Sequence, residues 1–192
     1  MNEQESIQII KDMMMKAKAS HHRNSYYFII WGVGLIIAGL TEFLVVHQMG
    51  NPMGYLGWMV VGIVGGILSG VFSAKESKRL GYEAFMDKVY AYTWGGFGAS
   101  LVLLLIGSVI NQINPIPLVL IATAIPTFVS SGITRFKPLL FGAFVFWIAG
   151  FASFFIPVTY NSLVFCGAVF LGYLLPGILL RNNEIKAHVQ SA

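Results

Sequence analysis

The stretch "SYYFIIWGVGLIIAGLTEFLVV", residues 25–46, carries a single charged side chain, the carboxylate of Glu42. A helix needs roughly 20 apolar residues to cross a hydrocarbon core of about 30 Å, and this run is long enough. Comparable runs recur along the chain, at approximately Tyr26–Val46, Gly54–Ser73, Val89–Ile110, Ile116–Thr134, Pro138–Pro157 and Ser162–Leu180. In lipid every backbone N–H and C=O must find its partner within the segment or in a closed barrel. Long uninterrupted apolar runs therefore predict helices. The expected fold is an all-α integral membrane protein with six transmembrane helices. Composition agrees, with 56% hydrophobic residues, 10% charged residues and a mean hydropathy of +0.73. That balance excludes an ordinary soluble domain.

Short polar connections leave no room for a second folded unit, so residues 25–181 are read as one transmembrane domain. Residues 1–24 precede it as an interfacial segment, and 182–192 follow as a tail. Within "NEQESIQIIKDMMMKAKA", residues 2–19, Asn2 is placed to cap a helix, with Glu5 three positions on. Ile7, Ile10, Met14 and Ala17 share one face of that helix, opposite Lys11 and Lys18, as in helices that lie on a membrane surface. The polar lead into the first span is unlike a secretory signal, so that span is expected to be retained. The lone cysteine, Cys166, falls in the sixth span and reads as a small packing residue.

All twelve Lys and Arg residues fall on one side of the predicted spans. The opposite connections, "HQMGNPMG" (47–54), "NQINP" (111–115) and "VTYN" (158–161), contain none. The positive-inside rule then predicts cytoplasmic termini in an inner (plasma) membrane. A basic face meeting anionic lipid accounts for the net charge of +4 without any nucleic-acid partner. Tyr26, Tyr27, Trp31, Tyr90, Tyr92 and Trp94 lie where an aromatic belt belongs on that side, and Tyr55, Trp58 and Tyr160 are candidates for the opposite belt.

The even-numbered spans end alike, in "LSGVFSAK" (68–75), "SSGITRFK" (130–137) and "LPGILLRN" (175–182). "YYFIIWGVG" (26–34) is similar to "YAYTWGGFG" (90–98), and "IIAGLTEF" (36–43) to "WIAGFASF" (147–154). These matches suggest three related helical hairpins. The polar segment running into "SYYFIIWGVG" also resembles the start of small uncharacterised six-span bacterial membrane proteins. The resemblance covers the first thirty-odd residues and implies the span number and no activity.

No HExxH helix, Gly-x-Ser-x-Gly elbow or phosphate-binding loop occurs, and both aspartates, Asp12 and Asp87, lie outside the spans. The chain is therefore not expected to be an enzyme or to hold a metal or cofactor. His21 and His22 adjoin one another but lack further ligands. Glu42 is the exception among the spans, because a carboxylate there costs up to about 3 kcal/mol and usually faces the protein interior. It reads either as a rim carboxylate bonded to a neighbouring helix or as a proton or cation site. In span four, Thr123, Thr127, Ser130 and Thr134 fall within a face about 60° wide at 100° per residue, a hydroxyl stripe suited to line a path or to bond between helices. Gly62, Gly66 and Gly70 form a small-xxx-small face on span two, serving helix packing within the chain or a homo-oligomer seam. The functional expectation is a transporter- or channel-like protein with a polar path for a small ligand or ion. The alternative is a non-catalytic sensory, regulatory or scaffolding membrane protein acting through its basic face.

Overall fold

The computed structural model describes residues 24–80 and 85–189, with side chains described for 25–72 and 88–182. The amphipathic segment 2–19, the His21–His22 pair and the last three residues lie outside these. The first helix, α1 (Asn24–Thr41), continues through a π-helical segment, Glu42–Gln48. Gly50 (φ 68°) and a 3₁₀ turn at Pro52–Tyr55 lead into α2 (Leu56–Leu80). There follow α3 (Phe85–Asn111), α4 (Ile116–Thr134), α5 (Lys137–Ala152) and α6 (Val158–Val169). A second π-helical segment, Phe170–Leu174, joins α6 to α7 (Leu175–Val189) as one span. Among the described residues there is no strand.

Five helical stretches are long and apolar enough to cross a membrane: Ser25–Gln48, Pro52–Phe72, Lys88–Asn111, Ile116–Thr134 and Val158–Asn182. This is the architecture of an all-helical, multi-pass membrane protein. The remaining apolar helix, Lys137–Ala152, has 16 residues. At 1.5 Å per residue it is about 24 Å long, shorter than a typical hydrocarbon core. Hydropathy continues to Pro157, but the helix stops at Ala152. The Ser153 hydroxyl donates to the Ala149 carbonyl at 2.7 Å, and Phe154 and Phe155 turn back through their N–H groups to Phe151 and Ala152. Pro157 then starts the next helix with an extended backbone (φ −52°, ψ 139°).

The bundle is not a ring of sequence neighbours. Helices α1, α4, α5 and the α6–α7 span pack together, while α2 lies along α1 and α3 along α4. Among the described residues α2 and α3 make no extensive contact with one another. Half of the α4 and α6–α7 spans is buried, against 6% of the α2 and α3 spans, which therefore turn nearly all their surface outward. Tyr173 lies at the centre. Its ring meets Phe146 at 5.0 Å, Phe28 at 5.4 Å and Trp94 at 6.2 Å between centroids, so it touches α5, α1 and α3 together. Lipid tails are as apolar as leucine, so association rests on close packing and polar bonds rather than on expulsion of water. Gly142 of α5 and Gly172 of the second π segment supply the closest approach, since a Cβ on either would collide with its partner helix. Pro176 cannot donate to the Gly172 carbonyl one turn earlier, and that carbonyl faces Gly142. The wider π turn and the missing Cβ atoms accommodate the proline without a clash.

Candidate functional site

The polar centre around Glu42 begins one turn earlier, at Gly39. A Cβ at Gly39 would fall 2.6 Å from Cys166 Sγ and 3.3 Å from the Ser162 carbonyl, so α1 and α6 touch nearly backbone to backbone here. Glu42 follows three residues later on the same face and is 7% exposed. The helix widens to π geometry from Glu42 onward. In a continuous α-helix a residue five positions on would point about 140° away. The i→i+5 repeat of the π segment instead swings His47 back over Glu42, leaving His47 Nε2 3.6 Å from Glu42 Oε1.

The other carboxylate oxygen is fixed. Trp58 Nε1 of α2 donates to Glu42 Oε2 at 2.6 Å, and the indole is wedged edge-on against Phe165 of α6 with centroids 4.9 Å apart. The π turn and α2 thus supply the groups beside the carboxylate, and α6 backs the indole that holds it. On the α6 turn that abuts Gly39, Asn161 (2% exposed) and Ser162 (0%) are buried. Asn161 Oδ1, Ser162 Oγ and His47 Nε2 have no hydrogen-bond partner among the described residues. A buried polar atom without a partner costs about 1–3 kcal/mol, so this end of the bundle holds unused capacity for a proton, a water or a cation. Chemically the arrangement can exchange a proton between a carboxylate and an imidazole. It can also present oxygen atoms to a small hard cation.

The hydroxyl stripe of α4 lies elsewhere. Thr123, Thr127, Ser130 and Thr134 are all buried, at 8, 0, 0 and 7% exposure. Three of them donate back to the carbonyl four residues earlier: Thr123 to Val119 (2.7 Å), Thr127 to Thr123 (2.8 Å) and Thr134 to Ser130 (2.8 Å). Thr127 Oγ1 is also hydrogen-bonded to the Tyr173 hydroxyl at 3.3 Å, and Ser130 Oγ accepts from Trp94 Nε1 at 3.1 Å. The stripe therefore faces α3 and Tyr173, whereas Glu42 faces α2 and α6.

Gly62, Gly66 and Gly70 point away from the other described residues, with none of these within 4 Å of a Cβ at any of the three. The glycine that admits a neighbour within the chain is Gly65, whose Cβ position is filled by the Trp31 ring at 2.9 Å. The sequence pattern gives Trp58 only a place in an interfacial aromatic belt, and it does not mark Gly65, Asn161 or Ser162. The one available signal was tryptophan near a predicted interface, which marks a side chain that is apolar at one end and seeks an acceptor at the other. No protein-family model, no curated protein and no solved structure matches this chain.

Proposed function

We propose that this is a small transporter- or channel-like membrane protein in which Glu42 and His47 form a proton- or cation-exchanging site near one end of the bundle. The observation that carries the reading is the buried carboxylate with one oxygen held by Trp58 and the other turned towards an imidazole at 3.6 Å. A helix-locking ion pair uses a fixed cation and closes to hydrogen-bond distance. Here the partner is an imidazole, a group that takes up and releases protons, and it stands off. The unpartnered Asn161 Oδ1 and Ser162 Oγ on the adjoining α6 turn support the same reading. Both termini are cytoplasmic in this proposal, because all twelve bases fall on one side of the spans predicted from the sequence. The Glu42 end then faces outward, and the α4 stripe lines the inner half of the path.

A second reading is a non-catalytic sensory, regulatory or scaffolding protein that acts through its basic face. The satisfied hydroxyls of the α4 stripe favour it, since their donors are used within the helix. Flux measurements separate the two. The full-length protein is reconstituted in liposomes with a trapped pH dye, and a potassium diffusion potential drives protons inward. A parallel series follows sodium and potassium. Wild type is expected to conduct one of these ions. Glu42→Gln retains an acceptor for Trp58 but loses the charge, and is expected to fall to the level of empty liposomes while remaining folded. Equal flux in the two proteins would overturn the site. Absence of any proton, sodium or potassium flux in wild type would overturn transport in favour of the second reading.

A further inference from the structure

A second feature lies at the basic end of the bundle, away from Glu42. Where α4 gives way to α5, a surface groove of about 290 Å³ opens between the two helices. Its walls are Phe128, Gly132, Phe136 and Leu140, and its rim carries Arg135 and Lys137. We propose that this groove binds an anionic phospholipid, with the phosphate on Arg135 and Lys137 and the upper acyl chain along Phe128 and Leu140.

Depth supports the assignment. Helix α4 has 19 residues, about 28 Å of helix, and so nearly matches a hydrocarbon core. Arg135 and Lys137 follow its last residue and lie at headgroup level. Phe128, seven positions before Arg135, lies about 10 Å deeper, among acyl chains. The groove thus passes from cationic to apolar along the same axis as a lipid. A soluble phosphate would engage only its rim.

The backbone holds the rim in place. Arg135 adopts a left-handed conformation (φ 51°, ψ 33°), which at a helix C-terminus is usually left to glycine. A side chain kept in such a conformation points to a use for that side chain. The N–H groups of Arg135 and Phe136 both donate to the Ser131 carbonyl, which pins the turn. Lys137 opens α5, whose N-terminal dipole adds positive potential at the rim. Among the described residues no carboxylate lines the groove, and neither Arg135 nor Lys137 forms an ion pair. Basic pockets between helices at a membrane face are suited to phospholipid headgroups.

Two substitutions remove the charge without threatening the fold. Arg135→Gly places the preferred residue in the left-handed turn, and Lys137→Gln keeps the first position of α5. A third, Gly132→Leu, fills the groove, because a Cβ at Gly132 meets nothing within 4 Å. The full-length protein in detergent is titrated with dioleoylphosphatidylglycerol or dioleoylphosphatidylcholine. Bound lipid is counted by native mass spectrometry and thermal stability is followed in parallel. Each base near an anionic headgroup contributes roughly fivefold, so wild type is expected to prefer phosphatidylglycerol by about thirtyfold. The Arg135→Gly/Lys137→Gln protein is expected to bind the two lipids alike, and Gly132→Leu to lose phosphatidylglycerol while both bases remain. An unchanged preference in the double variant would overturn the proposal, as would equal binding of the two lipids by wild type. Millimolar glycerol phosphate is expected to leave thermal stability unchanged. If it stabilises the protein as much as the lipid does, the groove serves a soluble phosphate and the lipid assignment fails.

Discussion

Trp31 of α1 donates its indole N–H to Ser69 of α2 at 2.9 Å, and Trp94 of α3 does the same to Ser130 of α4 at 3.1 Å. The two bonds close over 38 and 36 residues and join α1 to α2 and α3 to α4 at the basic half of the bundle. They fall in the segments whose sequences resemble one another, "YYFIIWGVG" with "YAYTWGGFG" and "LSGVFSAK" with "SSGITRFK". The serines are one position out of register in that alignment, Ser69 being matched to Ser131.

Each bond is expected to stabilise its hairpin modestly. Polar bonds between membrane helices average about 0.6 kcal/mol in double-mutant cycles. Cycles of Trp31→Phe with Ser69→Ala and of Trp94→Phe with Ser130→Ala should give coupling energies near that value and near one another. Reversible unfolding in mixed micelles supplies the measurement, and a coupling of zero in either hairpin would show that the bond does not hold it.

The glycines separate into two groups by stability. Gly142→Ala drives a methyl into the Gly172 backbone, which has no side chain to yield, and overpacking of this kind costs about 1–3 kcal/mol. Gly39→Ala meets the Cys166 sulfur, so its cost should be partly recovered in a Gly39→Ala/Cys166→Ala double variant. Gly66→Ala, with open space around it, should be neutral or gain up to about 1 kcal/mol from helix propensity. If the α2 glycine face instead forms a homo-oligomer, Gly66→Leu dissociates it in cross-linking or light-scattering measurements.

Orientation is checked by labelling. In a Cys166→Ala background, a single cysteine within "GNPMG" (50–54) should react with an impermeant maleimide in intact cells, and one within "SAKESKR" (73–79) should not. The reverse pattern would invert the bundle and carry the Glu42 end to the cytoplasmic side.

Access to the α4 stripe distinguishes path from packing. Under the transport reading, cysteines at positions 127 and 130 react with a small water-soluble thiol reagent, whereas those at 128 and 129 are protected by lipid and neighbouring helices. Protection at all four positions would favour the regulatory reading, in keeping with the full burial of Thr127 and Ser130.

The helices were legible because length and hydropathy act locally. The span read at 116–134 coincides with α4, and the first was read as 26–46 where the apolar helical stretch covers 25–48. The fifth run was read too long, because phenylalanine and isoleucine are equally apolar in a helix and in the turn that follows Ala152. Glu42 stood out as the lone carboxylate within a span. Its partner Trp58 did not, since periodicity gives the face of a helix and not the helix it meets. The same limit applies to the glycines. The spacing 62, 66, 70 describes a smooth face, whereas the contact within the chain uses Gly65, which depends on where Trp31 lies. Neither π segment has a sequence signature, yet one of them brings His47 to Glu42.

The central position of Tyr173 and the α6 contacts bears on how the protein enters the bilayer. Hydrogen bonds such as Cys166 to Ile36 close over 130 residues, whereas Trp58 lies only 16 residues after Glu42. A ribosome delivers the chain from its N-terminus, so the α1–α2 pair is in place well before α6 leaves the exit tunnel. Inserting an unaccompanied carboxylate into a span costs up to about 3 kcal/mol, the limit being reached at the helix centre. Glu42 acquires its indole donor as soon as α2 follows α1, so the charge is accommodated within the first hairpin. The last span then closes the bundle around a carboxylate that is already paired.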